Sequence, residues 1–205
     1  ILDGVGQALK TRHVLKIASA GISLSTGSLF LGLWGGPYLN DVHSLTETER
    51  GEVLMFMALA GVTGHFAFGK LARALNTLKG IVLFGSGLAA VVMATMAFWV
   101  DPSRLVVTLL FGVLGFACGF PSILLAHARA IMPDRLMGRG IAVVNTGIMI
   151  SIALMQTAVG TIINFSAGPD LTPDAESYRL AFAFLAVMAV ASFLIYSRVD
   201  DRPPR

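Results

Sequence analysis

Few side chains in the long apolar stretches of this sequence can take part in chemistry. His65 is the only ionisable group between residues 53 and 69, and histidine exchanges a proton near neutral pH. Asn145 and Gln156 lie in another apolar stretch, where an amide group is costly in lipid and must face protein or water. Cys118 is the only cysteine, and no His or Cys lies near it in sequence. We therefore predict a proton site at His65, and we expect no metal and no cofactor.

Hydroxyl groups follow one face of the first apolar stretch, Ile17–Asn40. Residues that recur every three or four positions share a face of a helix. Here they are Ser19, Ser23, Thr26, Phe30, Trp34 and Tyr38, whereas Ser25 and Leu29 turn away. The hydroxyls are expected to bind a solute, and the alternative is that each bonds to the carbonyl one turn earlier in its own helix. The two aromatic residues at the end either close an outer mouth or are ordinary interfacial aromatics.

The apolar stretches place the chain in a membrane. Of its residues 55% are hydrophobic and 13% are charged, about half of the ~25% that is typical of soluble domains. A helix needs about 20 apolar residues to cross a bilayer core, and six stretches have this character, with no Asp, Glu, Lys or Arg except Arg179 at the start of the sixth. We predict an all-α membrane protein, one domain over residues 1–205, with spans at Ile17–Asn40, Val53–Gly69, Gly80–Val100, Leu105–His127, Ile141–Ser166 and Tyr178–Ser197.

The basic residues are concentrated on one side of these spans. Twelve of the 15 Lys and Arg residues fall on the side that holds the loops 70–79 and 127–140, and three fall on the other. Because basic loops stay in the cytoplasm, we expect both ends there, a lead-in at 1–16 and a tail at 198–205, and we place the protein in the plasma (inner) membrane. Topology explains the basic charge, so the predicted partner is the lipid bilayer and not nucleic acid.

Two triplets of spans share a pattern. Each triplet opens with a Gly-rich span that a proline interrupts, at Pro37 in Gly35-Gly36-Pro37 and at Pro121. Three spans are an odd number, so the second triplet enters the membrane from the opposite side. The two therefore form a 3+3 inverted repeat, as in many transporters. We expect the helices to break at these prolines and to hinge or gate there, with Tyr38 beside the first break.

Three segments resemble the C-terminal six-helix half of a major facilitator superfamily transporter. LWGGPYL, from Leu33, resembles the aromatic-and-proline end of that family's seventh helix. GKLARALNTLK, from Gly69 to Lys79, resembles the basic loop between its eighth and ninth helices, although Arg73 stands where an aspartate is usual. MPDR and GRG, from Met132 to Gly140, resemble the junction of its tenth and eleventh helices.

The resemblance implies a twelve-helix transporter of which this chain is one half and an N-terminal six-helix half is the partner. It implies transport of a small-molecule substrate, with or without a coupling ion, by alternating access. Its cavity is lined mainly by the first and fourth spans and partly by the second and fifth. The residues expected to line it are Ser23, Thr26, Phe30, Trp34, Cys118, Ser122, Asn145 and Gln156. The alternatives are an intramembrane enzyme, with Ser23 and His65 as nucleophile and base, and a non-transporting scaffold subunit.

Overall fold

The computed structural model describes residues 13–99, 102–166 and 173–203. Within these residues six helices are long and apolar enough to cross a membrane, and the predicted all-α fold with six spans is confirmed. Most of the predicted lead-in, Val100 and the end of the tail lie outside the described residues. The helices are α1 Val14–Asp41, α2 Glu47–Ala74, α3 Lys79–Phe98, α4 Arg104–Ile131, α5 Asp134–Ser166 and α6 Ala175–Tyr196.

Several helices extend beyond the predicted spans, and two predicted loops are shorter than expected. α2 continues to Ala74, so the loop 70–79 is reduced to residues 75–78. Only Met132 and Pro133 separate α4 from α5, so the predicted loop 127–140 is largely helical. Hydropathy marks the part of a helix that lies in lipid, whereas the backbone hydrogen bonds continue into the polar turns beyond it.

Polar side chains fix where three helices begin. The Thr46 hydroxyl accepts from the Glu49 N–H, and the Glu49 carboxylate accepts from the Thr46 N–H at 2.9 Å, which forms a capping box at the start of α2. Asp174 accepts from the Ser177 N–H at 2.8 Å at the start of α6, and Ser103 caps α4 in the same way. These bonds satisfy N–H groups that have no partner within the helix.

α1 is continuous through its predicted break. The turn Phe30–Trp34 widens into a π-helix, and an α-helix follows at once as Gly35–Asp41. Pro37 cannot donate to the carbonyl one turn earlier, and the widened turn just before it accommodates this mismatch. A Cβ atom on Gly35 would lie 2.1 Å from the Phe30 carbonyl oxygen, so this position requires glycine. The prediction that the helix breaks at Gly35-Gly36-Pro37 is therefore wrong, because the helix continues and only widens into a π turn.

α4 is divided where the sequence predicts an interruption. Its first part, α4a, is Arg104–Ala117, and its second part, α4b, is Pro121–Ile131. Pro121 occupies the first turn of α4b, where its missing N–H would have no helical partner in any case. The short link 118–120 between the two parts is not helical.

The helix pairings are consistent with the predicted repeat. α3 packs most extensively on α6, α2 packs on α4a, and α1 packs on α5. α1 also packs on α6, and α3 packs on α4a. When the triplets α1–α3 and α4–α6 are exchanged, the α3–α6 pair maps onto itself and each of the other pairs maps onto another pair of the same set. α2 and α5 are the helices that bury the least of their surface within the chain.

Candidate functional site

A groove of about 490 Å³ runs between α1, α2, α4 and α5, and we call it the central groove. These are the four spans that the family resemblance predicts for a cavity. Glycines bring two of its walls together, because a Cβ atom on Gly115 of α4a would lie 2.1 Å from the Met57 carbonyl oxygen of α2. The groove is lined by Leu24, Gly27, Ser28, Leu31, Met57, Ala58, Gly61, Val62, His65, Gly115, Cys118, Pro121, Leu125, Asn145, Ile148, Met149 and Ile152.

The lining is mostly apolar and has no Asp, Glu, Lys or Arg. Its polar groups come from four different helices, since Ser28 lies on α1, His65 on α2, Cys118 at the end of α4a and Asn145 on α5. The side chains of Ser28, His65 and Asn145 are exposed. An apolar surface with a few convergent polar groups is typical of a site for a small molecule.

The hydroxyl face predicted on α1 points into the bundle. Ser23 is fully buried and donates to the Ser192 hydroxyl on α6 at 3.0 Å, and Ser192 in turn donates to the Ser19 carbonyl at 2.8 Å. Thr26 donates to the carbonyl of Ser23 at 2.7 Å, which is the back-bonding alternative. Ser23, Thr26 and Ser192 do not line the groove. The groove side of α1 consists of Leu24, Gly27, Ser28 and Leu31, which the sequence analysis did not select.

Aromatic residues in the second half of α1 pack in the core. Phe30 stacks on Phe182 of α6 with ring centroids 5.0 Å apart and meets Phe111 of α4a edge-on. Tyr38 is buried beside the same rings, and its hydroxyl is 3.1 Å from the His43 ring nitrogen. Trp34 is half-buried near Gly160 of α5. Neither Phe30 nor Trp34, both expected in the cavity, lines the groove. A gating role for Trp34, Tyr38 and the segment Gly35-Gly36-Pro37 stays a prediction.

The remaining predicted site residues divide into two groups. Cys118, Pro121, His65 and Asn145 line the groove, and Cys118 lies 3.7 Å from the Thr26 hydroxyl across the α1–α4 contact. Ser122 and Gln156 are exposed but lie outside the lining. Gln156 is two turns beyond Met149 on α5, which does line it.

Both described ends of the chain lie at one end of the bundle, which we call the inner end. His13 and Asp200 are 3.1 Å apart, and the Lys79 N–H donates to Asp201 at 3.0 Å. Burial raises the pKa of Asp201, but hydrogen bonds from Thr77 and from backbone N–H groups outweigh it, so this pKa is below its usual value. Of the predicted loop motif, Gly69 and Arg73 lie within α2 and Lys79 begins α3.

The geometry does not form the enzyme constellation. Ser23 donates a hydrogen bond to the Ser192 hydroxyl in the core, whereas His65 lies on the groove, so the Ser23–His65 pair that a nucleophile and base would need is not formed. Among the described residues, no three His, Cys, Asp or Glu side chains converge as metal ligands would.

A six-helix membrane bundle with an uncharged groove between its broken and glycine-rich helices is characteristic of membrane transport proteins. The family model of the Major Facilitator Superfamily matches residues 17–205, and the chain belongs to this family. Its family and its six apolar helices place it among integral membrane proteins.

A solved structure agrees with this assignment. The inward-open conformation of the xylose transporter XylE from E. coli superimposes with a TM-score of 0.77 at 14% sequence identity, so the likeness is one of fold. The match covers 93% of this chain and 48% of XylE, so the chain spans about half the length of that transporter. A comparison with curated proteins gave no match.

Proposed function

We propose that this chain is one six-helix half of a secondary transporter that moves a small solute by alternating access, with the central groove as its part of the solute site. The observation that carries the proposal is the groove itself, since three of its four helices expose Ser28, His65 and Asn145 on a wall that has no Asp, Glu, Lys or Arg. The second half would be a further six-helix bundle facing the groove. The 48% coverage of XylE supports this arrangement.

The lining favours a solute with an apolar body and a few hydrogen-bonding groups. With no Lys or Arg in the groove, this half offers no fixed counter-charge to an anion, and with no Asp or Glu it offers none to a cation. His65 is the one imidazole among the residues that line the groove, and imidazole is the side chain that proteins most often use to carry protons. We therefore propose it as the proton site of a coupled cycle.

The test uses the full-length protein in proteoliposomes, screened with radiolabelled solutes of differing polarity. A transported solute should lose uptake in Asn145→Leu, and in His65→Gln proton-driven accumulation should be lost while solute exchange persists. Uptake that survives Asn145→Leu unchanged would contradict the groove as the site. Accumulation that survives His65→Gln would contradict the proton site alone.

A matched pair of cysteines tests the groove independently of any solute. Ser28 lines the groove and Ser25, three residues earlier on the same helix, is fully buried and donates to the Ile22 carbonyl. In a Cys118→Ala background, Ser28→Cys should react with a small water-soluble thiol reagent and Ser25→Cys should not. The transported solute should then slow the reaction at Ser28→Cys. Equal reaction at both positions would show that the groove is assigned to the wrong face of α1.

We also propose that the inner end faces the cytoplasm and that the protein resides in the plasma (inner) membrane. The support is the excess of Lys and Arg in the segments at that end.

A further inference from the structure

The residues that follow α6 fold back onto the inner end of the bundle. Val199 is buried, and Asp201 reaches the start of α3. The Thr77 hydroxyl donates to Asp201 Oδ2 at 2.5 Å, and the Lys79 N–H donates to Oδ1 at 3.0 Å. Asp201 therefore caps α3 from another segment of the chain, at the helix end where a negative charge is favourable.

The same segment holds the second part of α4. His127 of α4b is fully buried, and its Nε2 lies 3.0 Å from the Asp200 carbonyl oxygen. A carbonyl oxygen only accepts, so Nε2 carries a proton, and in the neutral imidazole Nδ1 is then the acceptor for the Tyr196 hydroxyl. The two hydrogen bonds thus join α4b to the end of α6 and to the tail.

α4b is also a wall of the central groove. Pro121 and Leu125 line the groove, and His127, two residues after Leu125, projects from nearly the opposite side of the helix. The non-helical link 118–120 interrupts the backbone hydrogen-bond ladder between α4a and α4b. The position of this wall consequently depends on what holds the far side of α4b.

We propose that residues 196–201 form a clamp that positions α4b and thereby sets the shape of the central groove at its inner end. His127, Tyr196 and Asp201 are positioning residues, and none of them lines the groove. This proposal rests on the proposed function, because it takes the central groove as the path of the solute. Releasing it lets α4b move away from α1 and α5 and opens the groove toward the inner end.

The test measures the position of the wall directly. In the full-length protein with Cys118→Ala and Leu125→Cys, and with cysteines outside residues 1–205 replaced, the reaction rate with N-ethylmaleimide reports how often the groove side of α4b is open. Tyr196→Phe removes one hydroxyl without changing the ring, and Asp201→Ala releases the tail from Thr77. Each should raise the rate, and for Tyr196→Phe we expect a roughly fivefold increase, the effect of one buried hydrogen bond.

Tyr178→Phe is the matched control. Tyr178 lies on the same helix, is equally buried and donates its hydroxyl to Asp41 at 2.7 Å, but at the opposite end of α6. It should lower thermal stability as Tyr196→Phe does and leave the Leu125→Cys rate at the parental value. A parental rate in Tyr196→Phe, or an equal increase in Tyr178→Phe, would overturn the clamp. Neither result depends on transport, so the clamp can fail while solute protection at Ser28→Cys still supports the proposed function.

Discussion

Replacing Gly115 by alanine should force α2 and α4a apart. The two helices approach so closely that the new Cβ atom would lie 2.1 Å from the Met57 carbonyl oxygen, about 1.3 Å short of the 3.4 Å at which ordinary contact begins. The clashing atom belongs to the backbone, so it cannot rotate away as a flexible side chain would. The whole helix contact has to shift, and with it the α4a side of the central groove.

The expected loss of stability is about 1–2 kcal/mol. Overpacking a well-packed contact costs about 1–3 kcal/mol, and a backbone obstacle places this site in the upper part of that range. Alanine has a better helix propensity than glycine, which offsets up to about 1 kcal/mol of this overpacking cost. Because the glycine contact also shapes a wall of the groove, the reactivity of Ser28→Cys should change together with the stability.

The measurement is thermal unfolding of the full-length protein in detergent. Gly69→Ala is the matched control, because Gly69 lies on α2 and nothing approaches within 4 Å of a Cβ atom placed there. It should unfold at or slightly above the parental temperature, while Gly115→Ala should unfold several degrees below it. If both variants unfold at the same temperature, close backbone packing does not hold α2 against α4a.

Three further predictions concern the ends of the helices. Thr46→Ala removes the capping box of α2 and should cost about 1 kcal/mol, seen as a lower unfolding temperature. The lowered pKa of Asp201 contributes stability above the carboxyl's unfolded pKa, which is lost as the pH falls through its folded pKa. In unfolding measurements over a range of pH, Asp201→Asn should lose less stability on acidification than the parent does. An unchanged loss would contradict the stabilising role assigned to the Asp201 carboxylate. In intact cells an impermeant thiol reagent should label Asp174→Cys but not Asn76→Cys, both in a Cys118→Ala background, and the reverse pattern would invert the topology.

The sequence by itself determined the number of membrane helices and one of the two helix irregularities, the division of α4 at Pro121 but not the π turn of α1. A charged side chain near the centre of a bilayer costs about 2.5–3.5 kcal/mol whatever its neighbours in sequence, so apolar stretches without charges near their middle locate the spans. Pro121 disrupts a helix through its own ring and its missing N–H, which are local properties, and the structure divides α4 there. Pro37 has the same local effect, but the preceding residues accommodate it in a π turn.

The tertiary structure alone decided which face of α1 meets the groove. Helical periodicity shows that Ser23, Thr26 and Phe30 share a face, but it does not show which neighbour that face meets. The structure turns it toward α4a and α6, where the hydroxyls find partners on protein and Phe30 packs between aromatic rings. Ser28 is left on the groove, although its immediate sequence neighbours resemble those of the buried serines. The clamp was equally out of reach of the sequence, because His127 and Asp200 are 73 residues apart and meet only when six helices have packed.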